Sequence, residues 1–501
     1  MSTRASQVSG GTHAVGNDRI LFGIILGVLA FWLFAQTTLN ISPVMAEDLG
    51  VGTSVMNIAV SITALFSGIF IVVIGSLADR FGRVKVVQIG FVLSILGSLL
   101  VGLAPSGRLA SVFLMLGRIL QGLSGAFIMA ASLALVKAYW EGAPRQRAVS
   151  LWSIGSWGGS GFAALFGGLM AENVGWRWIF FGGAAISLVG MLMVAGTPES
   201  KAEPKGAYKF DTAGVLTFMV MMVSLQVFVT QGANLGWASI PSLALLAASV
   251  IFGVLFFRTE AGNPNGFVDF TLFRNMTYTG ATISNFLLNA TAGILIVAMM
   301  LVQAGGGMTA QQAGFLTIGY AVAIVAFIRV GEKLLQRFGP RSPMIWGSLI
   351  VGAAVACLMP TNMTLGTYKI LAVVGFTLFG LGLAFYATPS TDAALAALPD
   401  DQAGSGAGIY KMASSLGASF GVAISATVFT AMSKSSASVW WTEGVISYVG
   451  RQDNLAVRKA AFFALAINLL MVVAALVSIV MTIPVRKPAS AHGSLTVTPR
   501  R

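Results

Sequence analysis

The stretch "GSLADRFGRVK", residues 75–85, decides how the rest of the chain is read. Asp79, Arg80, Arg83 and Lys85 are crowded together with Gly75 and Gly82, and a long apolar run stands on either side. Each run is long enough to cross about 30 Å of hydrocarbon. Between two such runs the segment has to be a tight charged hairpin. Gly75 lets helices approach closely, and Gly82 permits a sharp turn. Asp79 can face the N-terminus of a neighbouring helix, where the dipole favours an anion. Arg83 can pair with an acid or a lipid phosphate. The competing reading is an ordinary charged loop.

The composition extends this pattern over the whole chain. Of its 501 residues 56% are hydrophobic and 9% charged, with a mean hydropathy of +0.84. Soluble domains carry about a quarter charged residues, so a polytopic, all-helical membrane protein is expected. Fourteen spans are expected, over residues 20–43, 54–76, 84–104, 109–138, 147–170, 178–196, 212–232, 240–257, 276–303, 313–331, 343–360, 367–388, 404–432 and 460–483. An even number places both termini on one side. Twenty Lys and Arg fall in the segments on that side and seven on the other, while Arg118, Arg329 and Lys411 lie within spans. The positive-inside rule puts the termini in the cytoplasm. The net charge of +13 is therefore read as orientation, and no nucleic-acid partner is expected. Cys357 is the only cysteine, so no intrachain disulfide can form. The polar residues 1–18 lead into a full-length span, and a cleaved signal peptide is not expected.

The quoted hairpin has an echo. Arg80-Phe81-Gly82 after span two matches Arg337-Phe338-Gly339 after span ten, at an offset of 257. Glycine-rich spans five and thirteen stand at about the same offset. The expected organisation is a tail (1–19), a six-helix bundle (20–196), a linker carrying inserted helices 7 and 8 (197–274), a second six-helix bundle (275–483) and a tail (484–501). Internal repeats around a midplane cavity are the build of many secondary transporters.

Polar groups within the spans are the candidate functional residues. Arg118 is costly inside a bilayer and marks function by default. Gln121 and Gly125 share its helix face at i+3 and i+7. The alternative is a guanidinium satisfied by backbone carbonyls. In span five Gly155, Gly158, Gly159, Gly161, Gly167 and Gly168 favour close helix packing. "GGSG" at 158–161 resembles an intramembrane serine protease motif, but the only histidines, His13 and His492, stand in the tails, which removes the dyad. Trp32, Gln36 and Asn40 are spaced i, i+4, i+8, and Asn285 and Asn289 repeat the pattern on span nine. Such aromatic and amide surfaces suit flat, partly polar organic molecules; interhelical hydrogen bonding is the alternative. None of the seventeen acids lies deep in a span. Glu332 and Asp392, at span ends, remain the candidates for carrying a proton. The buried charges are cations, so a cavity they edge would disfavour dications and accept zwitterions, carboxylates or neutral molecules.

The loop at 75–85 and "LGRILQGLSGA" at 116–126 resemble the loop motif and fourth-helix arginine motif of the major facilitator superfamily. "FWLFAQ", "NIAVSITALFSG", "RQRA", "SIGSWGGSG", "GWRWIF", "SNFLLN", "RVGEKLLQ", "ATPSTD" and "GIYKMAS" together are similar to the fourteen-helix drug:proton antiporters of the NorB quinolone-efflux type. The resemblance implies the superfamily fold, two six-helix halves with two inserted helices, in a bacterial cytoplasmic membrane. It implies export of fluoroquinolones and other lipophilic drugs by alternating access, with the proton gradient as energy source and no cofactor or metal. The expected partners are drugs, protons and membrane lipid, with the chain monomeric. It also implies a conformational latch at Gly75, Asp79, Arg80, Gly82 and Arg83, and proton coupling through Arg118. The family's Gly-Pro-x-x-Gly-Gly pattern is met only in its last two glycines, Gly167 and Gly168. Its span-one acid is replaced by Ala35, while Thr37 and Asn40 match. Tyr410 and Lys411 replace an Asn-Arg pair and join Trp32, Gln36, Asn40, Gln121, Asn285 and Asn289 as candidate substrate contacts.

Export of a single endogenous metabolite is a second transporter reading. A membrane enzyme lacks both the histidine and a metal-ligand cluster, and a receptor lacks a signalling domain. If Arg118 couples proton to drug, Arg118→Ala should abolish drug-driven proton release from reconstituted vesicles; normal release would remove it from the coupling machinery.

Overall fold

The computed structural model describes residues 16–202, 211–261, 263, 266, 268–434, 448–450 and 454–485. The described residues build fourteen helical segments. They are α1 (residues 18–49), α2 (Thr53–Phe81), α3 (Arg83–Gly102), α4 (Ala110–Tyr139), α5 (residues 142–173), α6 (Arg177–Val194) and α7 (Thr212–Leu235). The others are α8 (Ile240–Glu260), α9 (Met276–Gly305), α10 (residues 310–338), α11 (Arg341–Leu358), α12 (Leu365–Ala397), α13 (Ala403–Lys434) and α14 (Leu455–Thr482). Thirteen are long and apolar enough to cross a membrane. The other, α5, opens on the polar run Gly142–Ser153 and is diluted by glycine.

Polar caps set where helices begin. Asn17 accepts from Ile20 N, Asp211 from Gly214 N, and Asn275 from Thr277 N and Tyr278 N, each satisfying an amide left free in a first turn. The turn between α2 and α3 is a single residue, Gly82, at φ +119, and its counterpart Gly339 closes α10 at φ +75. Side chains other than glycine rarely adopt such angles.

The helices pack as two groups of six. In the first, α2 and α3 flank α4, and α6 lies against α1 and α3. In the second, α10 and α11 flank α12, and α14 lies against α9 and α11. The same pairings therefore recur eight helices later, as the 257-residue echo implies. Helix α8 packs on α7 and, through Phe256 and Phe257, on Phe270, and α7 leans on α2 and α13. Exposed Leu243, Val250, Ile251 and Phe257 on α8 form an outward apolar face suited to lipid.

Two seams join the halves. On one, α2 meets α13 glycine on glycine: a Cβ at Gly75 would collide with the carbonyl oxygen of Gly404, and one at Gly408 would lie 2.7 Å from Ile71 O. On the other, α5 meets α10, with Gly158 and Gly161 against Val325 and Ala321. Glycine brings backbones this close without losing contact area.

Three features depart from the sequence expectation. Spans ten and twelve, expected to end at 331 and 388, continue as helix to Phe338 and Ala397. Glu332 and Asp392 therefore lie inside helices rather than at their ends. Hydropathy missed both extensions because they carry charge and, in α12, run through Pro389. In α1 a π-helical turn over Ala30–Ala35 and a turn at 36–37 interrupt the i, i+4, i+8 strip. Finally, Gly168 packs against nothing within 4 Å, whereas Gly155, Gly159 and Gly167 meet α1. One residue on from Gly167, position 168 is rotated about 100° away from α1.

Gly75→Ala should force α2 from α13 and destabilise the protein by about 1–3 kcal/mol. Gly68→Ala on the same helix, where a Cβ meets nothing, should leave the melting temperature in detergent unchanged. Equal melting of both variants would show that the seam tolerates the methyl group.

Candidate functional site

The basic end of the bundle, where α1 begins and α14 finishes, holds the densest set of charged contacts. The carboxylate of Asp79, at the foot of α2, crosses to the first turn of α13. It accepts from Gly404 N at 2.8 and 2.9 Å and from Ser405 N at 3.0 Å. Those amides have no partner within their own helix, and the helix dipole adds to the attraction. Arg83 closes the other side of the carboxylate, donating to Oδ1 from Nε at 3.0 Å and Nη2 at 2.8 Å. It also donates to Asp400 O at 2.6 Å and Ser200 Oγ at 3.1 Å. Asp79 and Arg83 are both buried. Arg80 reaches Gly266 O at 3.4 Å and takes no part in the bridge. Glu199 caps α3 in the same way, accepting from Val84 N and Lys85 N.

A second crossing lies beside it. Arg145 of α5 pairs with Asp392 of α12 at 2.9 Å, and Gln146 donates to the same carboxylate at 3.4 Å. Both ion-pair partners are largely buried. Glu332 pairs within α10 with Arg329 and accepts from Gln336. Asp392 and Gln336 line a cavity of about 560 Å³ together with Gly142, Gln146, Asn275 and Thr277.

Arg118 lies farther from this end and is fully buried. Its guanidinium donates to Ala59 O at 3.1 Å, Ala35 O at 2.6 Å and Gln121 Oε1 at 2.7 Å. It therefore ties α4 to α2 and to the end of the π turn in α1, and no described carboxylate pairs with it. Gln121 spends its remaining amide on Ser98 Oγ. On the other half Asn285 donates to Tyr410 O and Ser414 Oγ and accepts from Asn289. The Tyr410 hydroxyl meets Ser390 and Thr391. Gln121, Asn285 and Tyr410, read as substrate contacts from sequence, are thus occupied by helix-to-helix hydrogen bonds in this conformation.

The remaining candidates are freer. The Trp32 indole nitrogen is buried with no hydrogen-bond partner. Gln36 is half-buried. The side chain of Asn40 lies outside the described residues. Lys411 is buried, with its ammonium 4.8 Å from the centre of the Trp152 ring across the two halves. Trp152, whose indole donates to Ser132 Oγ at 3.0 Å, and Arg145 were missed as site residues. Arg145 was legible only as one more loop charge, and Trp152 as one of ten tryptophans.

Among the described residues no cluster of acids, histidines and cysteines could hold a metal. The arrangement is suited to holding two half-molecules together at one end through buried, breakable polar contacts.

Known proteins place these features in context. A family model described as Major Facilitator Superfamily matches residues 20–422 and 281–494. The chain is 48% identical over 420 residues to Quinolone resistance protein NorB of Staphylococcus aureus strain MRSA252, covering 83% of this chain and 89% of that one. The proton:xylose symporter XylE superimposes with a TM-score of 0.61 at 17% identity, over 93% of this chain and 96% of XylE. The human organic anion transporter MFSD10 does so at 0.58 and 12%, over 92% and 98%.

Asp392→Asn and Arg145→Gln should each destabilise, by up to about 3–5 kcal/mol, because each leaves an unpaired buried charge or donor. The double variant should lose less than the sum of the two. Thermal melts of the three proteins measure this, and strict additivity would deny the pair its coupling.

Proposed function

The chain belongs to the major facilitator superfamily, to its NorB-type quinolone efflux pumps, and from that premise we propose that it is a proton-coupled multidrug antiporter. The multi-pass helical bundle and its family are those of a transporter. The cargo we propose is fluoroquinolones and other lipophilic, zwitterionic or cationic drugs. They would be exported across a bacterial cytoplasmic membrane with both termini inside.

One observation carries the reading. The halves are clasped at the basic end by a carboxylate that must leave a helix N-terminus if α2 and α13 are to separate there. With that end cytoplasmic, the structure is the state closed to the inside. Rocking of α1–α6 against α9–α14 then exposes a midplane site to either side in turn. Gly75, Asp79, Gly82 and Arg83 act as the latch, with Arg80 beside it. Trp32, Gln36 and Asn40 on α1, with Asn289 on α9, supply the substrate surface. Gln121, Asn285 and Tyr410 become available only where their helix contacts reorganise.

With Ala35 in place of a span-one acid, the proton has to be carried elsewhere. Asp392 is the stronger position, since protonation would remove the charge that holds Arg145 across the interface. Glu332 pairs within its own helix and acts on Arg147 of the other half only through space, so its protonation would act less directly. Arg118 touches no described carboxylate, and its part in coupling runs through the break in α1 that it holds.

Purified protein in liposomes tests this. With an imposed pH gradient, norfloxacin and ethidium should accumulate, and collapsing the gradient should stop both. Asp392→Asn should uncouple uptake from the gradient more than Glu332→Gln does. Uptake indifferent to the gradient in the unaltered protein would overturn proton coupling.

A further inference from the structure

Among the described buried lysine, arginine and acidic side chains, Lys411 is the one without an oppositely charged or hydrogen-bonding partner. Asp79 is matched by Arg83, Asp392 by Arg145 and Glu332 by Arg329. Arg118 is held by two carbonyls and Gln121. Lys411, with 6% of its surface exposed, has only the face of Trp152. An aromatic ring attracts a cation but does not neutralise it. A buried ammonium lacking a counter-ion is costly, so its retention asks for a ligand that supplies the missing charge.

The position of Lys411 says when that ligand would enter. Gly404, Gly408 and Lys411 recur at i, i+4 and i+7 on the face of α13 that meets the first half. Lys411 lies about 10 Å in from the first turn of α13 and Trp152 about 15 Å in from the start of α5. The ring and the ammonium belong to different halves. In the closed state the ring centre stands 4.8 Å from the charge. When the halves part at the basic end, α5 draws away from α13 and Lys411 is uncovered towards that side.

We propose that Lys411 is a carboxylate receptor: on opening of the basic end the Trp152 ring gives way to a carboxylate of the cargo, and on closing the ring displaces it. This rests on the efflux reading above and names a substrate class for it, zwitterions and anions bearing a carboxylate. Of the four described buried acids, Asp79, Asp392 and Glu332 pair with arginines and Glu260 lies at the end of α8, a helix outside both six-helix groups, so the cargo's carboxylate is the anion that can reach Lys411. The exchange also gives direction. Lys411 binds the anion well only in the state where the ring is withdrawn, and a ligand shifts an equilibrium only by such differential affinity. Closure restores the competitor and lowers the affinity as the site turns outward. A cation such as ethidium gains nothing from Lys411 and is repelled by it.

Three probes separate the outcomes: norfloxacin, its ethyl ester and ethidium, in the proteoliposome assay. The unaltered protein should favour the acid over the ester by about tenfold in KM, the scale of one charge-assisted contact. Lys411→Gln should erase that preference while ethidium transport stays intact or improves, and Lys411→Arg should keep it. Trp152→Leu should lower the KM for norfloxacin and slow its turnover, since the competitor is gone; this readout does not depend on replacing the lysine. An acid-over-ester preference that survives Lys411→Gln overturns the proposal, as does equal loss of all three probes in a Lys411→Gln protein that melts normally. Failure of the unaltered protein to move any probe would instead strike the efflux reading itself.

Discussion

The closed end of this protein depends on one carboxylate placed at the start of a helix from the other half. Asp79 belongs to α2, yet its carboxylate accepts from Gly404 N and Ser405 N of α13. Unpaired amides at a helix start attract an anion, and a buried carboxylate needs hydrogen bonds to be tolerated. Each group answers the other's requirement, and the requirement is met only while the halves touch. Glycine makes the geometry possible, because any side chain at Gly75 or Gly404 would hold the backbones apart. Arg83 pairs with the same carboxylate and turns the contact towards Asp400. Coupling between the ends of such a molecule requires an element with two discrete arrangements, and this bridge is either formed or broken.

The two seams are related by the internal repeat but are not equal. Adding 257 to Asp79 reaches Gln336, and adding it to Gly75 reaches Glu332. On the α5–α10 side the acid that would cap a helix is therefore an amide, and the glycine that would allow close approach is a glutamate. A carboxylate is delivered there from a third helix instead, through Asp392 to Arg145, and a cavity of about 560 Å³ stays beside it. A cavity of that size, with Asp392, Gln146, Asn275, Thr277 and Gln336 among its lining residues, has room and partners for water. Water beside an ion pair screens it and lowers the cost of separating it. The repeat supplies the scaffold, and departures from it make one seam tight and the other accessible.

Much of this was legible because the bilayer constrains sequence strongly. Apolar runs, basic loops and the 257-residue echo gave the halves, and Asp79 could be assigned a helix start before any coordinates. What could not be read was partnership. Gln121 and Asn285 look like substrate contacts in a helical wheel, but a wheel does not say that Ser98 or Tyr410 lies opposite. Asp392 looked terminal because hydropathy ends a span where charge begins, whereas a helix ends where hydrogen bonds do. The π turn in α1 leaves no trace in periodicity, since Phe31, Trp32 and Phe34 are apolar on every face.

The three cations expected within the spans turn out to be three different devices. Arg118 presents donors in a fixed fork, and carbonyls of α1 and α2 with Gln121 take Nε and Nη1 while Nη2 is left without a partner; its contacts all lie within the first half and suit a staple. Arg329 reaches Glu332 on its own helix, so the pair travels with α10 whatever the halves do. Lys411 has a single ammonium on a flexible stem, and the ring it rests on belongs to the other half. Carbonyl contacts within one half would survive rocking, and an ion pair within one helix would travel with it, but a cation resting on a ring across the interface changes its contact with every cycle. The direct contact of this charge depends on which end of the protein is open.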